Sequence, residues 1–500
     1  MDLSQDSLLV FFKELESIMW GWPMLILLVA TGLYLTIMLK GLQFTTLIPS
    51  LKLAFVPQKN KKEDGDISHF QALMTALSAT VGTGNIAGVA TAISLGGPGA
   101  LIWMWLTGFL GMATKFTEAV LGVYYRQQEP TTGEMSGGPM YYILHGLEEY
   151  PILKKLHLPR ILAAIFAGLI VIAAINIGNM IQSNSVADAV SNTMRDTGFS
   201  EFNIKLWTGI IIAVVTAAVI IGGIKRIGAV ASRLVPLMIA LYVGSGLFIL
   251  ISHWDMIDNV FAMIFTGAFS DVQASTIAGG FAGATVKEVM QFGLSRGAFS
   301  NESGLGTAPI AAAAARTPHP VEQALVSMTQ TFIDTIVVCT FTGLIIILSG
   351  LWYTSDPELL TGAALTSQSF GLQLPFTIGS LQLGELIVAV CLIFFAYSTI
   401  IGWYYYGEKG INYLAGAKSV WVYRAVYVVC LVFGAIQPVP LIWTIASVMI
   451  AFMIIPNLLS LLLLSRKVKR LTDDFFEHKK TGQPFTIQAF FHDIEEHKKP

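Results

Sequence analysis

Residues 78–88, Ser-Ala-Thr-Val-Gly-Thr-Gly-Asn-Ile-Ala-Gly, interrupt an otherwise apolar segment with glycines and with hydroxyl and amide side chains. In hydrocarbon each unpaired backbone group costs several kcal/mol, so irregular chain persists there only around a cavity or a ligand. The segment therefore predicts a helix broken at its centre, as in secondary transporters, which bind small ions and substrates at such breaks. The alternative is that the glycines only allow close packing between helices.

A break of this kind offers two binding surfaces side by side. We expect the helix to stop at Val81–Gly82 and to resume near Asn85, which leaves free N–H groups at the start of the second half. The amides of Thr83 and Gly84 are the natural donors for a carboxylate. The first half ends in free carbonyls, which suit a hard cation. An amino acid together with Na⁺ is the simplest cargo that fits both surfaces.

A second interrupted segment, 292–306, is also rich in glycine and in polar side chains. We expect its unwound carbonyls to take the ammonium group of the substrate, with Phe292 or Phe299 closing over the substrate side chain. Arg296 and Glu302 are costly at membrane depth, and they form either a gate or a structural ion pair. The segment adds four residues to the candidate substrate site: Phe292, Gly293, Ser295 and Phe299.

Further polar side chains lie inside apolar stretches. Several amides on one helix indicate either a pocket wall or interhelical hydrogen bonds. For Asp334 three roles are open: it balances the charge of a cation, relays a proton or is a structural carboxylate. Lys115 and Glu118, three residues apart, are expected to form a local pair. The fourth apolar stretch carries the row Asn176, Asn179, Gln182 and Ser183, of which Asn179 and Gln182 are candidate substrate ligands.

Ser398 and Thr399 are adjacent hydroxyl side chains within the apolar stretch Leu392 to Trp403. Such a pair adds neutral oxygens to the shell of a cation, or else bonds back to the preceding helical turn. Trp403 lies one turn beyond Thr399 and faces the same way. It is therefore either a wall of the pocket or a packing residue.

The composition places these segments in a membrane. Apolar residues make up 54% and charged residues 12% of the 500, and the mean hydropathy is +0.66, whereas soluble proteins have about 25% charged residues. The net charge of −2 argues against nucleic acid as a partner. We predict an all-α integral membrane protein in contact with the lipid bilayer.

Apolar runs of about 20 residues predict eleven transmembrane helices. The second and seventh are the interrupted ones, so we predict one extra N-terminal helix and then a 5+5 inverted repeat, each half beginning with a broken helix. The predicted spans are 18–39, 70–95, 99–123, 159–182, 205–223, 232–251, 283–315, 320–349, 381–407, 420–437 and 440–463.

Lysine and arginine predict the orientation through their excess in cytoplasmic loops. Segment 40–68 carries Lys40, Lys52, Lys59, Lys61 and Lys62, whereas 252–275 and 350–380 carry neither residue type, and Arg195 is one of few on that side. We predict a multi-pass protein of the cell (inner) membrane with an external N-terminus and a cytoplasmic C-terminus. The corresponding divisions of the chain are 1–69, the first repeat 70–251, the second repeat with its preceding loop 252–463, and a cytoplasmic tail 464–500.

Six motifs occur in order along most of the chain: ALSATVGTGNIAG (76–88), GGPGALIWMW (96–105), SGGPMYY (136–142), GNMIQSNS (178–185), RGAFSNESGLGT (296–307) and AYSTIIGWYYYGE (396–408). Together they resemble the alanine/glycine:cation symporter family, the sodium:alanine symporters. The resemblance implies the leucine-transporter-like fold with one extra helix before the inverted repeat. It also implies Na⁺-coupled import of small neutral amino acids, alanine and glycine, by alternating access, and we expect a functional monomer.

The resemblance also assigns roles to individual residues. It implies that the backbone amides of Thr83 and Gly84 bind the substrate carboxylate, and it makes Trp403 a candidate wall of the pocket. It further implies a Na⁺ site with four contributors, the carbonyls of Ser78 and Val81 and the hydroxyls of Ser398 and Thr399.

Other classes of function are weighed against this one. The eight histidines fall in loops, span edges or the tail, and no metal-ligand spacing or nucleophile motif occurs, so we do not expect an enzyme. A channel is a weaker alternative, because channels are usually assembled from repeated subunits whereas this chain carries two halves of its own. Proton coupling, with Asp334 or Glu302 as the titrating group, is the closer rival to Na⁺ coupling.

Overall fold

The computed structural model describes residues 5–56, 64–194, 198–270, 284–353, 362–378, 381–438 and 440–482. These residues are mostly helical. The strands among them form two short antiparallel hairpins, β1 (Gln127–Gln128) with β2 (Met135–Ser136), and β3 (Thr377–Ile378) with β4 (Leu381–Gln382). Lys59, Lys61, Lys62, Arg195 and the end of the predicted tail lie outside the described residues.

The helices up to residue 252 contain the first interrupted segment. A π-helical turn, Gly84–Gly88, precedes α6, and another, Asn176–Met180, joins α10 to α11. In chain order the helices are α1 (Gln5–Met19), α2 (Trp22–Met38), α3 (Leu42–Thr45), α4 (Leu47–Phe55), α5 (His69–Thr80), α6 (Val89–Gly96), α7 (Ala100–Tyr124), α8 (Pro139–Leu147), α9 (Pro151–Lys155), α10 (Leu158–Ile175), α11 (Ile181–Thr193), α12 (Glu201–Ile220) and α13 (Gly223–Ser252).

The helices after residue 252 contain the second interrupted segment. A π-helical stretch, Phe332–Cys339, joins α17 to α18, and short 3₁₀ turns lie at Trp254–Met256 and Leu351–Tyr353. The helices are α14 (Ile257–Phe269), α15 (Val286–Asn301), α16 (Ala308–Ala313), α17 (Pro320–Thr331), α18 (Thr340–Ser349), α19 (Gly362–Gln373), α20 (Leu383–Ala415), α21 (Ser419–Ile436) and α22 (Pro440–Thr481).

The two interrupted helices begin with the same local signal. Ser68 and Gln71 form a reciprocal capping box at the start of α5, and Thr285 and Glu288 form one at the start of α15. In each box the two side chains accept hydrogen bonds from backbone N–H groups that have no partner within the first helical turn. Each interrupted segment therefore starts at a position defined by its own sequence.

The fold is that of a helical membrane protein. Among the described residues, eight helices are long and apolar enough to cross a membrane, and nine if His69–Thr80 and Gly84–Gly96, which meet at 52°, count as one span. The prediction of eleven spans also counted α7, which contains Lys115 and Glu118, and the short pieces α15 and α16. That number and the inverted repeat stay predictions.

Two helices lie at the centre of the bundle. Helix α7 packs against α2, α15, α16 and α17, while α20 packs against α5, α10, α11 and α13. Both carry small residues where their neighbours come closest: a Cβ on Gly111 would lie 2.6 Å from Oγ of Ser303, and one on Gly402 would lie 2.7 Å from Oγ of Ser78. These close approaches position the two breaks between α7 and α20.

One end of the bundle is closed by hydrogen bonds among segments 64–67, 126–136 and 313–316. We name it the basic face because the first two segments belong to loops 40–68 and 124–160, which together carry nine lysine and arginine residues. The Arg126 guanidinium donates to the carbonyls of Asp64 at 2.9 Å, Ala313 at 3.1 Å and Ala315 at 2.7 Å. The N–H of Met135 donates to Oδ2 of Asp66 at 2.8 Å. Burial lowers the pKa of Arg126 and raises the pKa of Asp66, as expected for charged groups withdrawn from water.

Candidate functional site

The first break lies where the sequence predicts it. Helix α5 ends at Thr80, Val81 and Gly82 are non-helical, and the chain is helical again from Thr83. The side chain of Asn85 stabilises the turn, because its Oδ1 accepts the N–H of Gly82 at 2.8 Å. The second half, Gly84–Gly96, therefore begins beside the end of α5, with the unpaired N–H groups of its first turn at the break.

Asn85 also connects the first break to two other helices. Its Nδ2 donates to Oδ1 of Asp334 at 2.7 Å and to Oγ of Ser300 at 3.1 Å. Oδ2 of Asp334 accepts hydrogen bonds from Ser300 at 3.0 Å and Thr335 at 2.9 Å. Asn85, Ser300, Asp334 and Thr335 are fully buried. With both carboxylate oxygens occupied, Asp334 has the arrangement of a structural carboxylate, one of the alternatives for this residue.

The second break is shorter and later than the sequence predicts. Helix α15 continues to Asn301, and the irregular stretch runs from Glu302 to Thr307, so the expectation of a break from residue 292 onward is wrong. Gly293 and Gly297 lie instead where α15 packs on α7: a Cβ on Gly293 would collide with the carbonyl of Ala100. These glycines serve close packing, the alternative considered above for glycines in apolar segments.

Glu118 of α7 accepts hydrogen bonds from the non-helical backbone of the second break. Its Oε1 accepts the N–H groups of Gly304 at 3.1 Å and Gly306 at 3.0 Å. The same oxygen accepts Nδ2 of Asn457 at 2.7 Å, and that nitrogen also donates to the carbonyl of Gly304 at 2.7 Å. The Lys115 ammonium has no hydrogen-bond partner among the described residues, so its expected local pair with Glu118 is an electrostatic interaction without a hydrogen bond.

The two breaks face a common cavity of about 20 Å³, room for about one water-sized group. The wall includes five of the nine predicted substrate residues. Nε2 of Gln182 reaches Oγ1 of Thr83 at 3.4 Å, and Gly84 faces Ser300 and Phe299. The lining residues are Ala79, Thr80, Gly82, Thr83, Gly84, Ile177, Gln182, Phe299, Ser300, Glu302, Thr399, Trp403 and Ile450.

Four predicted substrate residues lie away from this cavity. Nδ2 of Asn179 donates to the carbonyl of Tyr427 at 2.7 Å, which is the interhelical hydrogen bond considered as its alternative. Phe292 packs against the end of α6 at Gly96, and Gly293 packs on α7. Ser295 bonds back within α15 to the carbonyl of Phe292 at 3.3 Å. The substrate roles of these four residues stay predictions.

The four predicted Na⁺ ligands lie where α5 and α13 meet α20. Oγ of Ser398 and Oγ1 of Thr399 each donate to the carbonyl of Phe395 at 2.9 Å, which leaves the hydroxyl oxygens free to accept a cation. Thr399 is so close to the break that a Cβ on Gly82 would lie 2.6 Å from its Oγ1. Ser78 and Val81, whose carbonyls complete the predicted set, are fully buried. The two hydroxyl bonds are the back-bonding to the preceding helical turn that was considered as the alternative for this pair. The role of the four residues as Na⁺ ligands stays a prediction.

Sequence reasoning missed part of the cavity wall. Ile177 and Ile450 are apolar residues in apolar helices, and nothing in the sequence distinguishes them from packing residues. Glu302 was recognised as unusual, but it was interpreted as part of a gate or an ion pair with Arg296. No such ion pair forms within the described residues, and Oε2 of Glu302 accepts the hydroxyl of Thr307 at 2.6 Å instead.

A second, larger cavity opens above the first. We name it the vestibule; it has a volume of about 560 Å³ and shares Thr83 with the small cavity. Its wall includes Asp188 at the end of α11 and Glu385 at the start of α20. The other end of α20 carries Asn412, which bonds to Glu129 beside β1, so the vestibule lies at the end of the bundle opposite the basic face.

Two interrupted helices around a small polar cavity, within a bundle of membrane-length apolar helices, define the class of membrane transporters. Residues 5–489 match the model of the Sodium:alanine symporter family, and the chain belongs to this family. The resemblance of the six motifs is thereby confirmed, and the family identifies the protein as a transporter rather than an enzyme.

Relatives with a named function match nearly the whole chain. The sodium/alanine symporter AgcS of Methanococcus maripaludis is 49% identical over 469 residues, covering 94% of this chain and 97% of that protein. The probable sodium/glutamine symporter GlnT of Bacillus subtilis is 35% identical, covering 96% and 92%. The putative sodium/proton-dependent alanine carrier YrbD of the same organism is 33% identical, covering 94% and 93%.

Proposed function

We propose that this chain imports alanine, glycine and similar small neutral amino acids together with Na⁺ by alternating access. The observation that carries the proposal is the first break. Its unpaired amides at Thr83 and Gly84 line the same cavity as the hydroxyl of Thr399. Carboxylate and Na⁺ thus bind on the two sides of one short turn, the amides taking the anion and the carbonyls and hydroxyls taking the cation.

The dimensions of the cavity support a small substrate. With a volume of about 20 Å³, it must widen even for alanine, and every further substrate atom displaces more of the wall formed by Phe299, Trp403 and Ile450. The names of the relatives point the same way, since the alanine symporter is 49% identical and the glutamine symporter 35%. Alanine and glycine are therefore the proposed substrates in preference to glutamine.

The two ends of the molecule support an outward-facing state. The vestibule leads to Thr83 from one side, while the hydrogen bonds of Arg126 close the basic face on the other. Excess basic charge marks the cytoplasmic side, so the vestibule is extracellular, the N-terminus is outside and the C-terminus is cytoplasmic. We place the protein in the cell (inner) membrane and propose that one chain carries out transport.

The test is uptake of radiolabelled alanine into proteoliposomes that contain the purified protein. An imposed inward Na⁺ gradient at equal pH on both sides should drive accumulation that saturates with alanine and is competed by glycine. Glutamine should compete at least about tenfold more weakly, since overfilling a small pocket costs a kcal/mol or more. The same vesicles without Na⁺ provide the control.

Proton coupling makes the opposite prediction in that assay. Uptake that follows an imposed pH gradient and ignores Na⁺ overturns the proposed coupling ion. Unitary conductance in place of saturable counterflow would instead identify a channel. Strong competition by glutamine would leave Na⁺ coupling intact but overturn the proposed preference for small substrates.

A further inference from the structure

We propose that the Glu302 carboxylate is the acceptor for the α-ammonium group of the substrate, and therefore the residue that makes the site specific for amino acids. The inference rests on the proposed function and deepens it. The carboxylate end of the substrate already has a partner in the amides of the first break. The structure assigns the opposite end to a side chain in the second break.

Glu302 is a buried carboxylate with few protein partners. It is 5% exposed, and it lines the small cavity. Oε2 accepts the hydroxyl of Thr307 at 2.6 Å, while the Trp403 indole lies close enough to stabilise the carboxylate without forming a full hydrogen bond to it. A buried charge is costly unless it is paired and hydrogen-bonded, and a bound ammonium group supplies the missing partner.

The nearest protein cation, Lys115, does not act as the missing hydrogen-bonded partner of Glu302. The Lys115 ammonium is close enough to act on Glu302 electrostatically, but it makes no hydrogen bond to any described residue. Asp334, the other buried carboxylate nearby, has both oxygens occupied by Asn85, Ser300 and Thr335. Among the side chains that line the cavity, Glu302 is the one with a formal charge.

The position of Glu302 relative to the first break matches the shape of an α-amino acid. Ammonium and carboxylate are attached to one carbon, so their two partners must line the same small volume. Gly84, whose amide is the proposed carboxylate donor, faces Ser300, and a Cβ on Gly84 would lie 3.6 Å from Cα of Ser300. Glu302 follows two residues later and lines the same cavity. The end of α15 also adds the negative end of a helix dipole, which favours a cation.

The backbone of Glu302 is held in an unusual conformation. Its φ of 55° lies in the left-handed region, which glycine and asparagine occupy more easily than glutamate. This conformation is common where a helix ends, and it ends α15 beside the cavity. The next glycines, Gly304 and Gly306, also have positive φ, so the chain turns sharply after Glu302 and leaves its side chain directed at the cavity that it lines.

The test compares alanine with lactate, which has a hydroxyl in place of the ammonium group. Both are measured as competitors of radiolabelled alanine binding to purified protein in NaCl, for the wild type, Glu302→Gln and Glu302→Asp. The matched control is Glu288→Gln on the same helix, whose carboxylate is exposed and serves as part of the N-terminal cap.

The wild type and Glu288→Gln should prefer alanine to lactate at least about 100-fold, because a site built for a polar group rejects analogues that lack it. In Glu302→Gln alanine should bind about 30-fold more weakly, as expected when one charged hydrogen-bond partner is lost. The affinity for lactate should stay the same or increase, so the ratio of the alanine affinity to the lactate affinity should fall to within a few-fold. Glu302→Asp, which keeps the charge, should retain most of the preference even where Glu302→Gln folds poorly.

A structural or gating role gives a different result. If Glu302→Gln weakens alanine and lactate by the same factor, or if Glu302→Asp loses the preference as fully as Glu302→Gln, the assignment of the ammonium is wrong. The proposed function fails separately, when wild-type protein binds no small neutral amino acid or when its uptake ignores Na⁺. The competition ratio remains measurable without Na⁺ coupling, so the two failures are distinguishable.

Discussion

At the first break, the side chain that accepts a hydrogen bond from the non-helical backbone belongs to the break itself, since Asn85 accepts the N–H of Gly82. At the second break it comes from a different helix, since Glu118 of α7 accepts the N–H groups of Gly304 and Gly306. The first arrangement leaves the amides of Thr83 and Gly84 available to a ligand. The second occupies the backbone donors and leaves a side chain, Glu302, as the group at the cavity.

The difference teaches that a broken helix is not by itself a binding site. What matters is which backbone groups the surrounding protein has already satisfied, because a buried polar group that is left over must find a partner. The first break therefore suits a ligand with acceptor atoms, whereas the second is anchored tightly to α7 and α22. Four experiments, in order of decreasing expected effect, test this contrast.

Glu118→Ala should have the largest effect, and on folding rather than on binding. It removes the acceptor of two backbone N–H groups and of Asn457, and each unsatisfied buried donor costs about 1–3 kcal/mol. We expect little folded protein and a much lower Tm in detergent. Glu149→Ala, which removes a surface ion pair with Lys467, is the control and should shift Tm by no more than a few degrees. Near-normal stability of Glu118→Ala would mean that the second break does not depend on α7.

Gly84→Val should abolish substrate binding, by at least about 100-fold, while the protein still folds. A Cβ on Gly84 has only ordinary contacts, the nearest at 3.6 Å, but the branched side chain fills the approach to the backbone donors. Equilibrium binding of radiolabelled alanine gives the measurement. Gly88→Ala is the matched control, because a Cβ there meets nothing within 4 Å. Alanine binding that survives in Gly84→Val contradicts the carboxylate assignment.

The hydrogen bond that links the first break to the π-helical stretch Phe332–Cys339, between Asn85 and Asp334, can be tested by a double-mutant cycle. Asn85→Ala and Asp334→Ala each remove one partner of this hydrogen bond of 2.7 Å between buried groups. We expect each to lower the free energy of unfolding by about 2 kcal/mol, and the double variant to lose about 1–2 kcal/mol less than the sum. Denaturant unfolding in detergent provides the values. Strict additivity would show that Asn85 and Asp334 do not stabilise each other.

Thr399→Ala should have the smallest effect and should act on the ion. Loss of one neutral ligand oxygen should raise the Na⁺ concentration for half-maximal uptake about tenfold, which corresponds to about 1.4 kcal/mol. The KM for alanine at saturating Na⁺ should change less than about threefold. Thr399→Ser keeps the hydroxyl and should restore the Na⁺ dependence. A loss of alanine affinity with unchanged Na⁺ dependence would assign Thr399 to the substrate instead.

The first break was predictable because its signal is local. Glycines alternate with hydroxyl and amide side chains over a few residues, and no other element is needed to see that such a helix cannot continue through lipid. Thr83, Gly84 and Thr399 accordingly lie at one cavity. Gln182 and Phe299 join them from two further helices, and Trp403 from the same helix as Thr399. The sequence indicates each of these positions by an unusual polar or aromatic residue.

The second break was misplaced because its signal is not local. Glycines that allow α15 to pack on α7 look the same in sequence as glycines that end a helix, and only the neighbouring Ala100 and Thr107 distinguish them. The partner of the unwound amides, Glu118, is more than 180 residues away along the chain. Spacing within a segment carries no information about such a partner, so the sequence indicated only the electrostatic interaction of Glu118 with Lys115.

The hydrogen bonds of Arg126 have a consequence for how transport depends on salt. The guanidinium holds the basic face through three carbonyl oxygens of segments 64–67 and 313–316, which are neutral acceptors, two of them at partly buried positions. Mobile ions screen exposed charge pairs far more than they weaken buried contacts of this type. If this face is the cytoplasmic one, as we propose, the closure on that side should depend only weakly on the ionic strength of the cytoplasm.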